Sequence, residues 1–94
     1  MINETDRIQK YIDVHKNLVL HDALRDLEIC EIAEISKLLH RLKGTLGTFQ
    51  FQELSESLKQ LLLSARQEKS LNNLYMVKQA AIAVIQNELE NEEK

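Results

Sequence analysis

The sequence predicts an all-α protein, an up-and-down antiparallel four-helix bundle. Three observations predict it. The 94 residues include no proline and only two glycines, Gly44 and Gly47, whereas a sheet protein needs turn residues about every 8–12 positions. Apolar residues make up 44% of the chain and recur at the three- and four-residue spacing of helix faces. Only 4% of residues are aromatic, so the core must be built from Leu, Ile, Val and Ala. Long helices joined by short polar turns pack antiparallel, and the length suits a single domain spanning residues 1–94.

The first helix is expected over residues 4–28. Glu4 and Asp6 stand near its start and Arg25 near its end, as the helix dipole favours. Ile8, Tyr11 and Ile12 form one stripe, and Leu20, Leu24 and Leu27 form another, offset around the axis. The helix is therefore one long, bent rod or a pair split near Asn17 or Leu18; the single rod is the simpler form. A turn is expected at Leu27-Glu28-Ile29-Cys30. The second helix, 31–48, has the cleanest pattern: Ile32, Ile35, Leu39, Leu42 and Leu46, with Leu38 and Phe49 at one edge. Residues 51–68 form the third, with Phe51, Leu54, Leu58, Leu61, Leu62 and Ala65 facing inward. A polar turn, Gln67 to Ser70, follows, and Ser70 is a good N-cap. The fourth helix, 71–90, carries Leu71, Leu74, Tyr75, Ala81, Ile82, Ile85 and Leu89. The acidic tail from Glu88 to Lys94 is expected to fray.

A net charge of −3 does not suit a non-specific nucleic-acid binder. Cys30 is the only cysteine; it fits a reducing compartment and reads as a small apolar packing group. The polar N-terminus lacks a signal peptide's regions, and no apolar run reaches the roughly 18 residues of a membrane span. The expectation is a cytoplasmic protein without membrane insertion.

Both glycines lie in the second helix, close to His40, one of three histidines. A glycine inside a helix costs about 1 kcal/mol relative to alanine, so the pair needs a reason. At 100° per residue, with His40 at the origin, Ile35, Leu39, Leu42 and Leu46 fall between about 200° and 260°. His40 is thus nearly opposite the apolar stripe. Its neighbours at steps of three and four, Ala33, Ser36, Gly44 and Gly47, are all small. An ordinary solvated face would carry Glu, Lys and Gln. Gly44 removes the side chain that would otherwise lean over the imidazole. From Ile35 to Gln52 the only charged residues are Lys37, Arg41 and Lys43, all basic, in a chain that is acidic overall. Lys43, about one turn from His40, can reach an anion held there.

An exposed neutral imidazole is a nucleophile near pH 7. It can take a phosphoryl group on one ring nitrogen and give it up again. Phosphoryl transfer depends on positioning and charge neutralisation. The helix offers a nucleophile, space and a cation. The chain has no GxxxxGK[ST] loop and no acidic cluster placed for catalytic magnesium, so a donor and acceptor would have to bring those parts. His15 and His21 lack a companion at metal-ligand spacing, so no metal site is expected.

The string His40-Arg41-Leu42-Lys43-Gly44-Thr45 resembles the signature of histidine-phosphotransfer (HPt) domains, commonly His-x-Leu-Lys-Gly followed by small residues. The preceding residues Glu31 to Leu39 and the following Phe51-Gln52-Glu53-Leu54 also suit that family, over about 25 residues. The resemblance implies a helical bundle that relays phosphoryl groups between aspartates of response-regulator receiver domains in two-component signalling, free-standing or attached to a hybrid sensor histidine kinase. It implies phosphorylation on His40, Lys43 as the phosphate-side cation, and Gly44 as clearance for the receiver. Gly47, Ser36, Ala33, Lys37 and Arg41 would line the docking lane. Arg66 stands at a distance where some relatives carry a second basic residue near the phosphate. The carrier would be a monomer without kinase activity or cofactor of its own, using the receiver's Mg²⁺. Two residues depart from the pattern: Leu46, where relatives carry a small residue, and Gln50, where many carry glycine. Two other readings stay open. One is a helical adaptor that docks a partner on the small-residue lane without chemistry. The other, the dimerisation helix of an ATP-dependent kinase, is disfavoured because the chain contains no ATP-binding domain.

Overall fold

The computed structural model describes residues 4–68 and 70–92. Among them run four α-helices: α1 Glu4–Ile29, α2 Ile35–Thr48, α3 Gln52–Gln67 and α4 Leu71–Glu92. A 3-10 turn at Ile32–Glu34 leads into α2. α2 packs on α3, α3 on α4, α4 on α1 and α1 on α2. The arrangement is an antiparallel four-helix bundle, as the apolar spacing requires. Its core is aliphatic: Leu20, Leu27, Ile35, Leu39, Leu46, Leu58 and Ile85 are fully buried. Each such side chain contributes about 1.5–3 kcal/mol by leaving water. No helix among the described residues is long and apolar enough to cross a membrane.

α1 is one uninterrupted helix through Asn17 and Leu18. It continues to Ile29, so the expected four-residue turn shrinks to Cys30 and Glu31. α1 has no basic residue in its last turn. Lys78 of α4 fills that role, its Nζ donating to the carbonyls of Cys30 at 2.8 Å and Glu28 at 3.3 Å. Carbonyls left over at a helix exit need such partners.

The second helix begins later than residue 31. So sharp a reversal leaves Glu31 extended (φ −69°, ψ 142°) and Glu34 off helical values (φ −101°, ψ 4°). The three residues from Ile32 to Glu34 close a tighter turn, with the Glu34 N–H donating to the Glu31 carbonyl at 2.9 Å. Regular α geometry starts only at Ile35.

The end of α2 explains Gln50. The Phe51 N–H donates to the Leu46 carbonyl (3.0 Å) and the Gln50 N–H to the Gly47 carbonyl (3.1 Å). This is the Schellman pattern of nested bonds, closed by an apolar contact between the residues at its two ends; Leu46 and Phe51 are both buried. The motif demands a left-handed residue, and Gln50 takes φ 70°. Glycine adopts that conformation freely. Gln50 is held instead by two exposed amide bonds exchanged with Gln9, at 3.1 and 3.2 Å. Gln50→Gly is expected to stabilise the fold by about 0.5–1 kcal/mol, read as a rise of roughly 2–8 °C in Tm. A lowered Tm would show that the Gln9 bonds outweigh the backbone strain.

α3 opens at Gln52 rather than Phe51, whose carbonyl accepts the Ser55 N–H at 2.8 Å. It closes at Gln67, one residue before the expected end. Ser70 directly precedes α4 and its carbonyl accepts the Leu74 N–H at 3.0 Å; Lys69, in the expected polar turn, lies outside the described residues. α4 stays helical to Glu92, where fraying was expected from Glu88, and residues 93–94 lie outside the described part of the tail.

The apolar residues of α4 sort differently from their simple spacing. Val77, Ala81, Ile85 and Leu89 are buried, whereas Leu71 and Tyr75 are exposed. Lys78 reaches the end of α1 with its Nζ, so the first turn of α4, with Leu71, lies at the bundle's end, while Val77 is already in the core and Tyr75 stands about 100° round the helix from the centre of the buried stripe. At the opposite end Lys16 shares a cleft with Glu88 and Glu92, so the first turns of α1 overhang α4, and Ile8 and Tyr11 are exposed. The staggered pairs give a bundle 55 Å long and only 23 by 20 Å across.

Candidate functional site

α2 turns one face inward with Ile35, Leu38, Leu39, Leu42 and Leu46. His40 is on the other side and exposed. Its imidazole has no hydrogen bond to any described residue. No described residue therefore holds either ring nitrogen.

The two glycines have different surroundings. A Cβ at Gly47 would meet the Ser55 Oγ at 3.4 Å. That hydroxyl donates to the Lys43 carbonyl at 2.9 Å, so α3 runs close beside Gly47, at a distance where a Cβ would make ordinary contact. A Cβ at Gly44 would meet nothing within 4 Å. Packing gives no reason for Gly44, although the helix forgoes roughly 1 kcal/mol there. A helical side chain covers the turn N-terminal to its own Cα, and for residue 44 that turn holds His40. Thr45 and Thr48 border the same open strip. Their hydroxyls turn back to the carbonyls of Arg41 (3.1 Å) and Gly44 (3.0 Å), which satisfies them within the helix.

The cations divide as well. Arg41 donates to Asp26 at 3.0 Å, and Lys37 pairs with Glu34 at 3.3 Å. Both have their charge partly answered. Lys43 has no carboxylate partner among the described residues, and it is half-buried at the α3 side of α2. Of the three basic residues near His40, Lys43 is the one left for an incoming anion. Ser36 is half-buried one turn before His40, and Ala33 is exposed on the 3-10 turn rather than on α2. Tighter winding there takes Ala33 off the strict helical lane. Arg66 is exposed in the last turn of α3.

An open cleft of about 450 Å³ lies between the end of α1 and the start of α2, lined by residues that include Asp26, Cys30, Glu34, Lys37 and Arg41. Its two cations are those already paired. Burial pushes the Cys30 thiol up, against the opposing pull of Lys78, and the thiol donates to the Glu31 carbonyl at 3.1 Å. A thiol in that setting is a poor nucleophile. A second cleft brings Glu53 and Glu88 from α3 and α4 toward Lys16. Burial, then the charges of Glu92 and Glu53, hold the Glu88 carboxyl above its ordinary range. Among the described residues no group of three His, Cys, Asp or Glu comes together to hold a metal ion.

His15 belongs to the scaffold. Its Nδ1–H donates to the Tyr11 carbonyl at 2.9 Å, and its ring stacks on Tyr11 at 4.2 Å. His21 is exposed on α1. No protein-family model matches this chain, and no curated protein or solved structure matches it either.

Proposed function

We propose that the chain is a histidine phosphocarrier that relays a phosphoryl group between receiver-domain aspartates through His40. One observation carries the reading: one turn after an exposed, unbonded imidazole, a Cβ at Gly44 would meet nothing within 4 Å, so helix packing asks for no glycine there. In the step proposed, an unprotonated ring nitrogen of His40 attacks the phosphorus of an aspartyl phosphate. The N–P bond forms, the O–P bond breaks, and the aspartate leaves as a carboxylate. The second ring nitrogen keeps its proton. Lys43 faces the phosphoryl oxygens and offsets their charge. Magnesium and the acyl phosphate come with the receiver, so the carrier needs no nucleotide site.

Incubation with a phosphorylated receiver domain and Mg²⁺ tests the reading. Acid-labile label is expected on the wild-type chain and absent from His40→Gln. Label that persists in His40→Gln removes it. The second reading is an adaptor without chemistry, and exposed apolar residues favour it. Tyr11, Val14 and Leu18 are all more than half exposed on α1, which runs beside α2 with Tyr11 6.3 Å from Phe49. A docking partner would cover them in either case. The adaptor reading requires His40→Gln to bind and signal like the wild type.

A further inference from the structure

The outer face of α4 is uncharged for most of its length, in a chain of which 29% is charged. From Leu71 to Asn87 the only charged residue is Lys78, and its Nζ is occupied by the carbonyls at the end of α1. With Ile85 at the origin, the buried stripe of Val77, Ala81, Ile85 and Leu89 runs from about 280° through zero to about 40°. Asn72, Met76, Gln79, Ala83 and Asn87 fall opposite, between about 120° and 200°. All of these are exposed, Met76 by 67%. The amides among them have no side-chain hydrogen bond to a described residue. A face meant for water ordinarily mixes Glu with Lys.

A surface that meets its own copy must shed charge, because a two-fold axis sets the same patch against itself and like charges repel. Amides suit such a contact, since each is donor and acceptor at once and can bond its own kind. The ends of α4 give the direction. Its first turn has no acidic residue and its last turn no basic one, so its dipole is unanswered at both ends. Glu90 stands on the outer face, at about 140°, exposed and with no basic partner among the described residues. Glu88 and Glu92 turn instead to the cleft that holds Lys16. Laid antiparallel on a second α4, each Glu90 reaches the positive N-terminal end of the other helix beside Asn72, and Ala83 stands opposite Gln79 near the axis. Parallel pairing would set the two Glu90 carboxylates side by side. We infer that two copies of this chain associate through the outer faces of α4, antiparallel about a two-fold axis. α4 packs on α1 and α3, so this face points away from α2 and both His40 rings stay open. The accessibility that made a monomer the expectation is therefore kept, and the inference does not depend on the phosphocarrier reading. One helix pair covers less than the roughly 800 Å² per partner of a standard interface, so the dimer is a micromolar one.

Sedimentation equilibrium of the full chain at low ionic strength tests this. The wild type is expected to pass from monomer to dimer as its concentration rises through the micromolar range. Ala83→Glu places a carboxylate near the axis on an exposed turn, so helicity should persist while association weakens about ten-fold or more. Glu90→Gln should weaken association roughly three- to thirty-fold, the effect of one charge lost from each dipole contact. Relief of general repulsion between two acidic chains would act in the opposite direction. In a Cys30→Ala background, a short bismaleimide should join Asn72→Cys to Asn87→Cys in a mixture and neither variant to itself. A wild type that stays monomeric up to about 1 mM leaves the face to a different partner and overturns the inference. Association as tight as wild type in either charge variant, or Asn87→Cys joined to itself, overturns it too.

Discussion

Gly44→Gln is expected to raise stability while lowering the rate of phosphoryl acceptance from a receiver by 100-fold or more, on the order of the loss from displacing a reacting pair by about 1 Å. The opposed signs are the point of the experiment. A Cβ at residue 44 meets nothing within 4 Å, and glutamine is a better helix former than glycine by roughly 0.5–1 kcal/mol. The fold therefore gains. The new side chain leans toward the N-terminus of α2, over His40, and would occupy the space that the proposed transfer needs for an aspartyl phosphate. Transfer from phosphoramidate, a much smaller donor, should suffer far less. A variant less stable than wild type would mean that Gly44 serves the fold. A variant that accepts phosphate from a receiver at the wild-type rate would mean that the open space has no use.

Leu58→Ala should cost about 3 kcal/mol, within the usual 2–5 kcal/mol for a buried leucine cut to alanine. Leu58 is fully buried in the core cluster that all four helices share. Small domains hold only about 5–15 kcal/mol in all, so a Tm fall of roughly 12–24 °C is expected for a chain of this size. Chemical denaturation that shows less than about 1 kcal/mol lost would contradict the packing described for α3. Below the melting temperature His40 should still label, because Leu58 touches the core and not the groove.

Much of this was legible before the coordinates. α2 is the clearest case: five apolar residues at strict helical spacing fixed one face, and the opposite face followed for His40 and Gly44. What periodicity cannot carry is the position of one helix along another. Leu71 and Tyr75 fit the pattern of an inward stripe, yet Leu71 falls at the bundle's end and Tyr75 off the buried face of α4. The late start of α2 was hidden because no proline or glycine marks residues 30–34; the tight reversal alone breaks the helix there. Gln50 stood out as a departure from the glycine of related patterns, but its left-handed backbone emerged only with the nested bonds at the end of α2.

The central claim is that His40, among three histidines, is the group that carries phosphate. The most direct measurement is to load the full chain from a phosphorylated receiver with Mg²⁺, digest it under alkaline conditions, and map the phosphohistidine by mass spectrometry. The phosphoryl group is expected on the peptide containing His40 and on neither of those containing His15 or His21. Phosphate on either of the other two, or an unmodified chain beside a receiver that has lost its phosphate to water, would contradict it.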